Sequence, residues 1–482
     1  MHTLPPLPLE PTVPLYVDLD GSLSKTDTLW EGIWLAARKH PLSFLLACLN
    51  IGLGRAQFKR RIATLAPIVP SQLPFRKDVL DFISAEANLG RPLILATAAD
   101  ELVARAVAKH LGCFTNVISS DGVINCKGQA KLKAIHDATT RFVYLGDSTA
   151  DLRVWNSAIG AIVVGSNKTV LASLHRSDAT IYHHFPSHIA PFRILRRAIR
   201  VHQWPKNLLV LLPIFLGHMT MEIRTWYCGL LGMLAFCLTA SLAYVLNDLM
   251  DLEADRQHTT KCARPFASGD LSIPTGLVLM AALGSASFVV CFFLPQPARW
   301  WIATYFGATL LYSFYLKTRL LADVIFLAIL YVLRVMVGGS ATAIAISPWT
   351  LAFCLFFFYS LALVKRFGEL RRLPDDQAVA VRRGYQKTDL SVIAPIGVSS
   401  GILSVVVFAL YISSTDVRAH YCAPAWLWLA CPVILYWFGR LWILANRGVI
   451  AEDPMLFSLK DRISHCAGAC IVVVWLVASI CR

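Results

Sequence analysis

The chain has 482 residues, 56% hydrophobic and 16% charged, with mean hydropathy +0.56 and formal net charge +15. That apolar excess excludes an ordinary soluble protein and points to an integral membrane protein. The positive charge then reads as basic cytoplasmic loops, and no nucleic-acid partner is expected.

The N-terminus lacks a basic start followed by an apolar core, so it does not read as a secretory signal. Residues 14–185 predict a doubly wound parallel α/β domain. PLYVDLD, PLILAT, RFVYLGD and GAIVVG suit buried strands, and the segments between them, such as DELVARAVAKHLG, have helical periodicity. Residues 25–85 form a helical insertion between the first two strands. Its apolar stretch LSFLLACLNIGLG is short and glycine-interrupted, so it is expected to cap a site instead of spanning a bilayer.

The first strand ends in Asp18 and Asp20, and the second at Thr97. Lys131 lies in KGQAK, and the third motif strand runs into Asp147 and Asp151. An open parallel sheet presents catalytic groups at strand C-terminal ends. Paired carboxylates there let one attack a phosphorus while the other handles the proton. This ordered set resembles the haloacid dehalogenase (HAD) phosphatase superfamily over about residues 14–180. The resemblance implies Asp18 as nucleophile and Asp20 as general acid/base. It implies Thr97 and Lys131 as holders of phosphoryl oxygens, and Mg²⁺ at Asp147 and Asp151 beside Asp18 and Asp20. The alternative is a domain kept only as a scaffold.

The expected domains are therefore 1–185, a HAD-like phosphatase with its cap at about 25–85; 186–203, a basic amphipathic linker; and 204–482, an all-α polytopic membrane domain. The linker, which includes APFRILRRAIR, suits an anionic membrane surface, or is an ordinary solvated charge run. Beyond it, about nine apolar segments are centred near residues 213, 237, 283, 307, 332, 357, 402, 430 and 472. The 13 cysteines are scattered with no C-x-x-C pair, so no disulfide framework is expected. Cys466 and Cys470, one helical turn apart in an apolar run, read as packing residues.

Basic residues sort by loop. Arg224, Arg299, Arg418 and Arg482 stand singly on one side. Arg256, Lys261 and Arg264, then Lys317 and Arg319, then Lys365, Arg366, Arg371, Arg372, Arg382, Arg383 and Lys387, then Arg440, Arg447, Lys460 and Arg462 crowd the other. That bias predicts a multi-pass protein of the inner (cytoplasmic) membrane with its N-terminal domain in the cytoplasm.

The second apolar segment runs into YVLNDLMDLEADRQ. Asn247, Asp251 and Asp255 are spaced four apart, and Asp248 precedes Asp255 by seven, so all lie near one helix face. Carboxylates continuous with a span are costly unless paired, hydrated or metal-bound. Acids at this spacing suit Mg²⁺ gripping a diphosphate, and Lys261 and Arg264 can take further phosphate oxygens.

The pattern N-D-x-x-D-x-x-x-D followed by R-P-x-x-x-G resembles the UbiA superfamily of membrane prenyltransferases over about residues 195–482. Where that family usually has a second D-x-x-x-D motif, this chain has only Asp323, with Leu327 at the second acid. RVHQWPKN, VKRFGEL with RRGY, and EDP with Lys460 and Asp461 look like its decaprenyl-phosphate phosphoribosyltransferase branch. That branch transfers 5-phosphoribose from phosphoribosyl diphosphate to a polyprenyl phosphate lipid, with Mg²⁺ as cofactor. The resemblance implies Asn247, Asp248, Asp251 and Asp255 around Mg²⁺ and diphosphate. Candidate phosphate holders are Lys206, Asn207, Lys261, Arg264, Tyr312, Lys317, Lys365, Arg366 and Tyr385; for the basic ones, a plain positive-inside role is the alternative. The fusion suggests that the soluble domain removes the 5-phosphate. The rival readings are a prenyltransferase acting on an aromatic acceptor, and a membrane scaffold or transporter using the acids as an ion path. A homo-oligomer is compatible with the sequence.

Overall fold

The computed structural model describes residues 6–49, 52, 54–166, 168–177, 180–186, 190–217, 219–372, 384–414, 421–450 and 453–480. Residues 187–189 of the expected linker, and Arg382, Arg383, Arg418, Glu452 and Arg482, lie outside them. The chain divides into two compact units. One is Met1–Ile199 with Val245–Met280; the other is Arg200–Tyr244 with Ala281–Arg482.

The first unit is built on six parallel strands: β1 (Leu15–Val17), β2 (Leu93–Asp100), β3 (Asn116–Ser120), β4 (Val143–Gly146), β5 (Gly160–Val164) and β6 (Ile181–Phe185), in the order β3-β2-β1-β4-β5-β6. The four strands expected from apolar runs are β1, β2, β4 and β5. The edge strands β3 (NVISS) and β6 (IYHHF) are too polar to announce themselves. Central strands face a core on both sides, which is why they are apolar throughout. Leu15 and Val17 pack with Val79, Phe82 and Ile83 on one face; Tyr16 packs with Phe142 and Trp155 on the other.

Between β1 and β2 come α1 (Thr28–Lys39), α2 (Pro41–Leu49), α3 (Arg55–Leu65) and α4 (Lys77–Asn88). Helix α4 buries Val79, Phe82 and Ile83 against the sheet. Helices α1–α3 share a small core of their own, made of Ala36, Ala47, Phe58, Ile62 and Ala66. Helices α5 (Glu101–Leu111), α6 (Gln129–His136), α7 (Leu152–Trp155) and α8 (Lys168–Arg176) complete the winding, and α9 (Pro191–Ala198) follows β6.

In the second unit, α10 (Leu212–Leu216) precedes α11 (Ile223–Met250), whose C-terminal end from Val245 belongs to the first unit with α12 (Leu252–Arg256) and the start of α13 (Ile273–Phe292). Then follow α14 (Gln296–Phe314), α15 (Ala322–Thr342), α16 (Pro348–Arg371) and α17 (Leu390–Ser413), and helices Ala430–Asn446, Pro454–Ser458 and Arg462–Ile480. At Gly397, α17 approaches both helix Ala430–Asn446 and α16: a Cβ there would fall 2.1 Å from the Trp442 ring and 3.2 Å from Leu363 Cβ. Small residues at such crossings let apolar helices approach. Ser360 seals the contact, donating to Gly397 O at 2.7 Å and accepting from Trp442 Nε1 at 3.2 Å.

Among the described residues, seven helices are long and apolar enough to cross a membrane, against an expectation of about nine. The two expected segments outside this set differ for separate reasons. The one near residue 213 is a 3-10 stretch, Val201–Leu211, followed by the five-residue α10, with prolines at 205 and 213. The one near 307 is α14, a 19-residue helix in which Gln296, Arg299 and several aromatic rings dilute the hydropathy.

One buried ion pair ties down the start of the first unit. Glu86 accepts from Leu7 N at 2.8 Å and from Arg91 Nε at 2.5 Å, and Arg91 donates to the carbonyls of Leu9, Glu10 and Val13. Replacing Glu86 with Ala strands a buried guanidinium. It is expected to cost about 3–5 kcal/mol, read as a lowered denaturation midpoint of this unit.

Candidate functional site

The sequence-predicted residues fall into three groups, two in the first unit and one in the second. The first lies at the C-terminal ends of β1 and β4, neighbours in the sheet between which the strand order reverses. Such a switch point opens a crevice for ligands. Asp18 leaves β1 with its N–H on Leu145 O at 2.9 Å, and Asp147 leaves β4. Lys131, from α6, donates to Asp18 Oδ1 at 2.9 Å and sits 3.4 Å from Asp151 Oδ1. Tyr144 donates to the same Asp151 oxygen at 2.8 Å, and Ser148 Oγ donates to the other at 2.8 Å. Ser22 donates to Asp147 Oδ1 at 3.3 Å. Gly21 is needed here: its φ is +80°, and a Cβ would lie 2.3 Å from Asp147 Oδ2. Thr97, wholly buried, accepts from Ala99 N; β2 does not end there as expected but runs on to Asp100. Asp20 is not part of that carboxylate contact set and accepts from Thr28 N at 2.7 Å, at the first turn of α1.

Among the described residues, Asp18, Asp147 and Asp151 are the group of acids whose ligand oxygens all lie within 4.8 Å of one another. Burial pushes the Asp18 carboxyl up to about 6 despite Lys131, and Asp147 up to about 7 with Asp18 and Asp151 adding to it. Burial and the nearby Asp27 push Asp20 up to about 8. Carboxylates crowded in this way with one ammonium group are short of positive charge. An all-oxygen donor set of this kind fits Mg²⁺.

The second cluster is the aspartate-rich turn. Helix α11 does not continue through it: Asp251 breaks it, with φ −92° and ψ 10°, before α12 begins. Hydrogen bonds of helical spacing still link the expected face, from Asp251 N to Asn247 O at 2.9 Å and from Asp255 N to Asp251 O at 2.8 Å. Asp248 and Asp255, both buried, converge on Arg264 Nη1 at 3.1 and 2.5 Å. Asn247 and Asp251 are half-buried beside them in the chain, as is Lys261. Glu253 is turned elsewhere and pairs with Arg38 and Lys39. The donors are again oxygens alone, the chemistry Mg²⁺ takes, with Arg264 bridging two of them.

The third cluster, in the second unit, is basic. Lys206 Nζ meets Asp453 Oδ2 at 2.6 Å, and Lys365 Nζ is 3.7 Å from the same oxygen. Burial raises the Asp453 carboxyl, but the two ammonium groups outweigh it and hold it below the usual range. Asn207 accepts from Arg334 Nε at 3.0 Å and donates to Cys237 Sγ. Arg366 is buried in ion pairs with Asp323 and Glu369, and Tyr385 donates to Asp323 Oδ1 at 2.6 Å. Tyr312 and Lys317 are half-buried near the start of the turn after α14.

Four residues escaped the sequence reading of the sites. Lys59, on the cap helix α3, donates to Ala98 O at 2.6 Å, and Arg76 donates to Gly21 O at 3.3 Å. Arg334 lies in α15 between the rings of Phe236, Tyr305 and Tyr331, each within 5.4 Å, and Asp453 gathers two lysines. Arg334 carried a signal, as a charge inside an apolar helix, and Asp453 stood in the EDP motif, while Lys59 and Arg76 carried none.

The family profile described as "UbiA prenyltransferase family" matches residues 210–460. An "Uncharacterized protein y4nM" of Sinorhizobium fredii is 34% identical over 469 residues, 97% of this chain and 91% of its own. A "Nodulation protein NoeC" of Azorhizobium caulinodans is 34% identical over 279 residues, 56% of this chain and 88% of its own. A "Decaprenyl-phosphate phosphoribosyltransferase" of Mycolicibacterium smegmatis is 31% identical over 279 residues, 56% of this chain and 87% of its own. The parallel sheet with its helical insertion is compatible with a HAD-like fusion partner. With the matched profile covering half of its length and seven helices suited to a bilayer, the chain is a multi-pass membrane enzyme that belongs to the UbiA prenyltransferase family.

Proposed function

We propose that this protein transfers 5-phosphoribose from phosphoribosyl diphosphate to a polyprenyl phosphate in the cytoplasmic membrane, and that its N-terminal domain then removes the 5-phosphate on the cytoplasmic side. One observation carries the choice of donor. Asp323, the remnant of a second aspartate-rich motif, is wholly buried and committed to Arg366 and Tyr385. A prenyl-diphosphate user of this family usually presents a second acid pair there, and this chain has spent its one acid on an internal ion pair. The phosphoribosyltransferase name of a relative 31% identical supports the same donor.

In the transferase, Asn247, Asp248, Asp251 and Asp255 hold the metal diphosphate, and Lys261 and Arg264 take phosphate oxygens. Lys206, Asn207, Tyr312, Lys317, Lys365, Arg366 and Tyr385 remain the candidates for the other phosphates. Arg366 acts only if it leaves Asp323. Bound Mg²⁺ supplies charge that stabilises the departing diphosphate. As the C1–O bond breaks, a phosphate oxygen of the lipid forms the new bond to C1.

In the N-terminal domain, an Asp18 oxygen attacks the 5-phosphate phosphorus and the ribose oxygen departs, taking the proton that Asp20 holds. Lys131 and Thr97 steady the phosphoryl oxygens. Asp20 then accepts a proton from the water that hydrolyses the aspartyl phosphate, restoring Asp18. Asp147 and Asp151, with Asp18, hold Mg²⁺, and the product is polyprenyl-phosphoryl ribose.

Purified protein given radiolabelled phosphoribosyl diphosphate and polyprenyl phosphate is expected to place label in lipid. Label from a prenyl diphosphate on a soluble aromatic would instead support the rival transferase. Asp251→Ala is expected to lower transfer at least about 100-fold, the equivalent of several kcal/mol of lost charge stabilisation; unchanged turnover removes Asp251 from the site. Asp18→Asn is expected to accumulate the 5-phosphorylated lipid by mass spectrometry, and the same product from both proteins would separate the two activities. Gly21→Ala is expected to displace Asp147 and reproduce the Asp18→Asn lipid profile.

A further inference from the structure

The cap helix α1 reaches from one acid cluster of the first unit to the other. At its N-terminus, Thr28 N–H holds Asp20. Farther along, Trp34 Nε1 donates to Leu249 O at 2.9 Å and Arg38 Nη1 donates to Met250 O at 2.6 Å. Arg38 and Lys39 pair with Glu253, and Glu31 takes the Arg256 guanidinium with both oxygens, at 2.6 and 3.2 Å. Both side chains of that last pair are 8% exposed. Just before the helix, Lys25 meets Asp270 at 2.9 Å.

These contacts fall where the aspartate turn needs them. Leu249 and Met250 are the last residues of α11, and the final carbonyls of a helix have no partner within it. Here an indole N–H and a guanidinium supply partners, and a cation at that end also complements the helix dipole. Asp248 precedes these anchored carbonyls, and Asp251 and Asp255 lie between them and Arg256. Arg256 is taken up by Glu31 and Ala267 O, while Arg264 joins Asp248 to Asp255.

We propose that the cap of the phosphatase-like domain is a positioning element of the transferase, in which Glu31, Trp34 and Arg38 fix the turn carrying Asp248, Asp251 and Asp255 for diphosphate binding. This rests on the reading that those acids hold a metal diphosphate. Trp34 and Arg38 are positioning residues that act through backbone carbonyls. The transferase site is therefore set in part by side chains more than 200 residues away, in a segment outside the matched family region.

The test is calorimetric titration of the full-length protein in lipid nanodiscs with Mg²⁺ and inorganic pyrophosphate. Asp251→Ala defines the portion of binding that belongs to the aspartate turn. Trp34→Phe keeps a ring and removes the N–H; it is expected to weaken that portion about three- to tenfold. Arg38→Ala is expected to weaken it at least about tenfold, and Arg38→Lys to recover part of the loss. A role in folding alone would lower the melting temperature and leave the affinity of the folded protein unchanged, which overturns the proposal. If the unaltered protein binds pyrophosphate through Asp251 and the variants bind it equally, only the positioning role fails. If the unaltered protein shows no Asp251-dependent binding, the reading of the acids fails and the proposal with it.

Discussion

A carboxylate withdrawn from water must meet a cation, and this chain answers that demand repeatedly with a single basic side chain serving buried acids. Lys131 stands between Asp18 and Asp151, Arg264 between Asp248 and Asp255, and Arg366 against Asp323. At Asp453 the ratio is reversed, with Lys206 and Lys365 sharing one acid. In the first two groups one ion-pair partner is shared by two acids, an arrangement that suits a divalent ion. In the Asp323 group the acid is committed to Arg366 and Tyr385, while Arg366 Nε is buried without a hydrogen-bond partner among the described residues. The Asp453 group has positive charge in excess and suits an anion.

The chemistry-bearing motifs were legible because they are local. Asp18 with Asp20, and Asp147 with Asp151, sit a few residues apart at strand ends, and apolar runs marked β1, β2, β4 and β5. What joins those motifs across the sheet follows from the parallel order, which the alternation of strand and helix already implied. The edge strands were hidden because a strand with one exposed edge can be polar. The break at Asp251 was hidden because its spacing is that of an unbroken helix, and only the pairing of Asp248 and Asp255 through Arg264 shows where the turn closes. Arg366 is a candidate phosphate holder from the sequence, and no local signal announces its ion pairs with Asp323 and Glu369. Lys59 and Arg76 were invisible because nothing local marks a cap residue that reaches back to the sheet.

The relative from Sinorhizobium fredii aligns with 97% of this chain, so its similarity takes in the sheet domain as well as the membrane helices. The two parts therefore occur together in more than one chain. The first unit gives a physical sense to that pairing, because residues 245–280 are packed with the sheet domain and its cap. Asp270 on Lys25, Arg256 on Glu31 and the α11 carbonyls on Trp34 and Arg38 are spread along the whole segment.

Helix α1 has 12 residues, and a helix of that length is about 18 Å long. It grips Asp20 at one end and Met250 at the other. Each residue added or lost within it would turn everything beyond by about 100° and slide it about 1.5 Å. Trp34 and Arg38 would then face away from their carbonyls while Thr28 stayed in place. Apart from Glu31, Trp34 and Arg38, the interior of α1 is thus a stretch in which substitutions can accumulate but insertions and deletions cannot, and its length behaves as a fixed gauge for the separation of the two acid clusters.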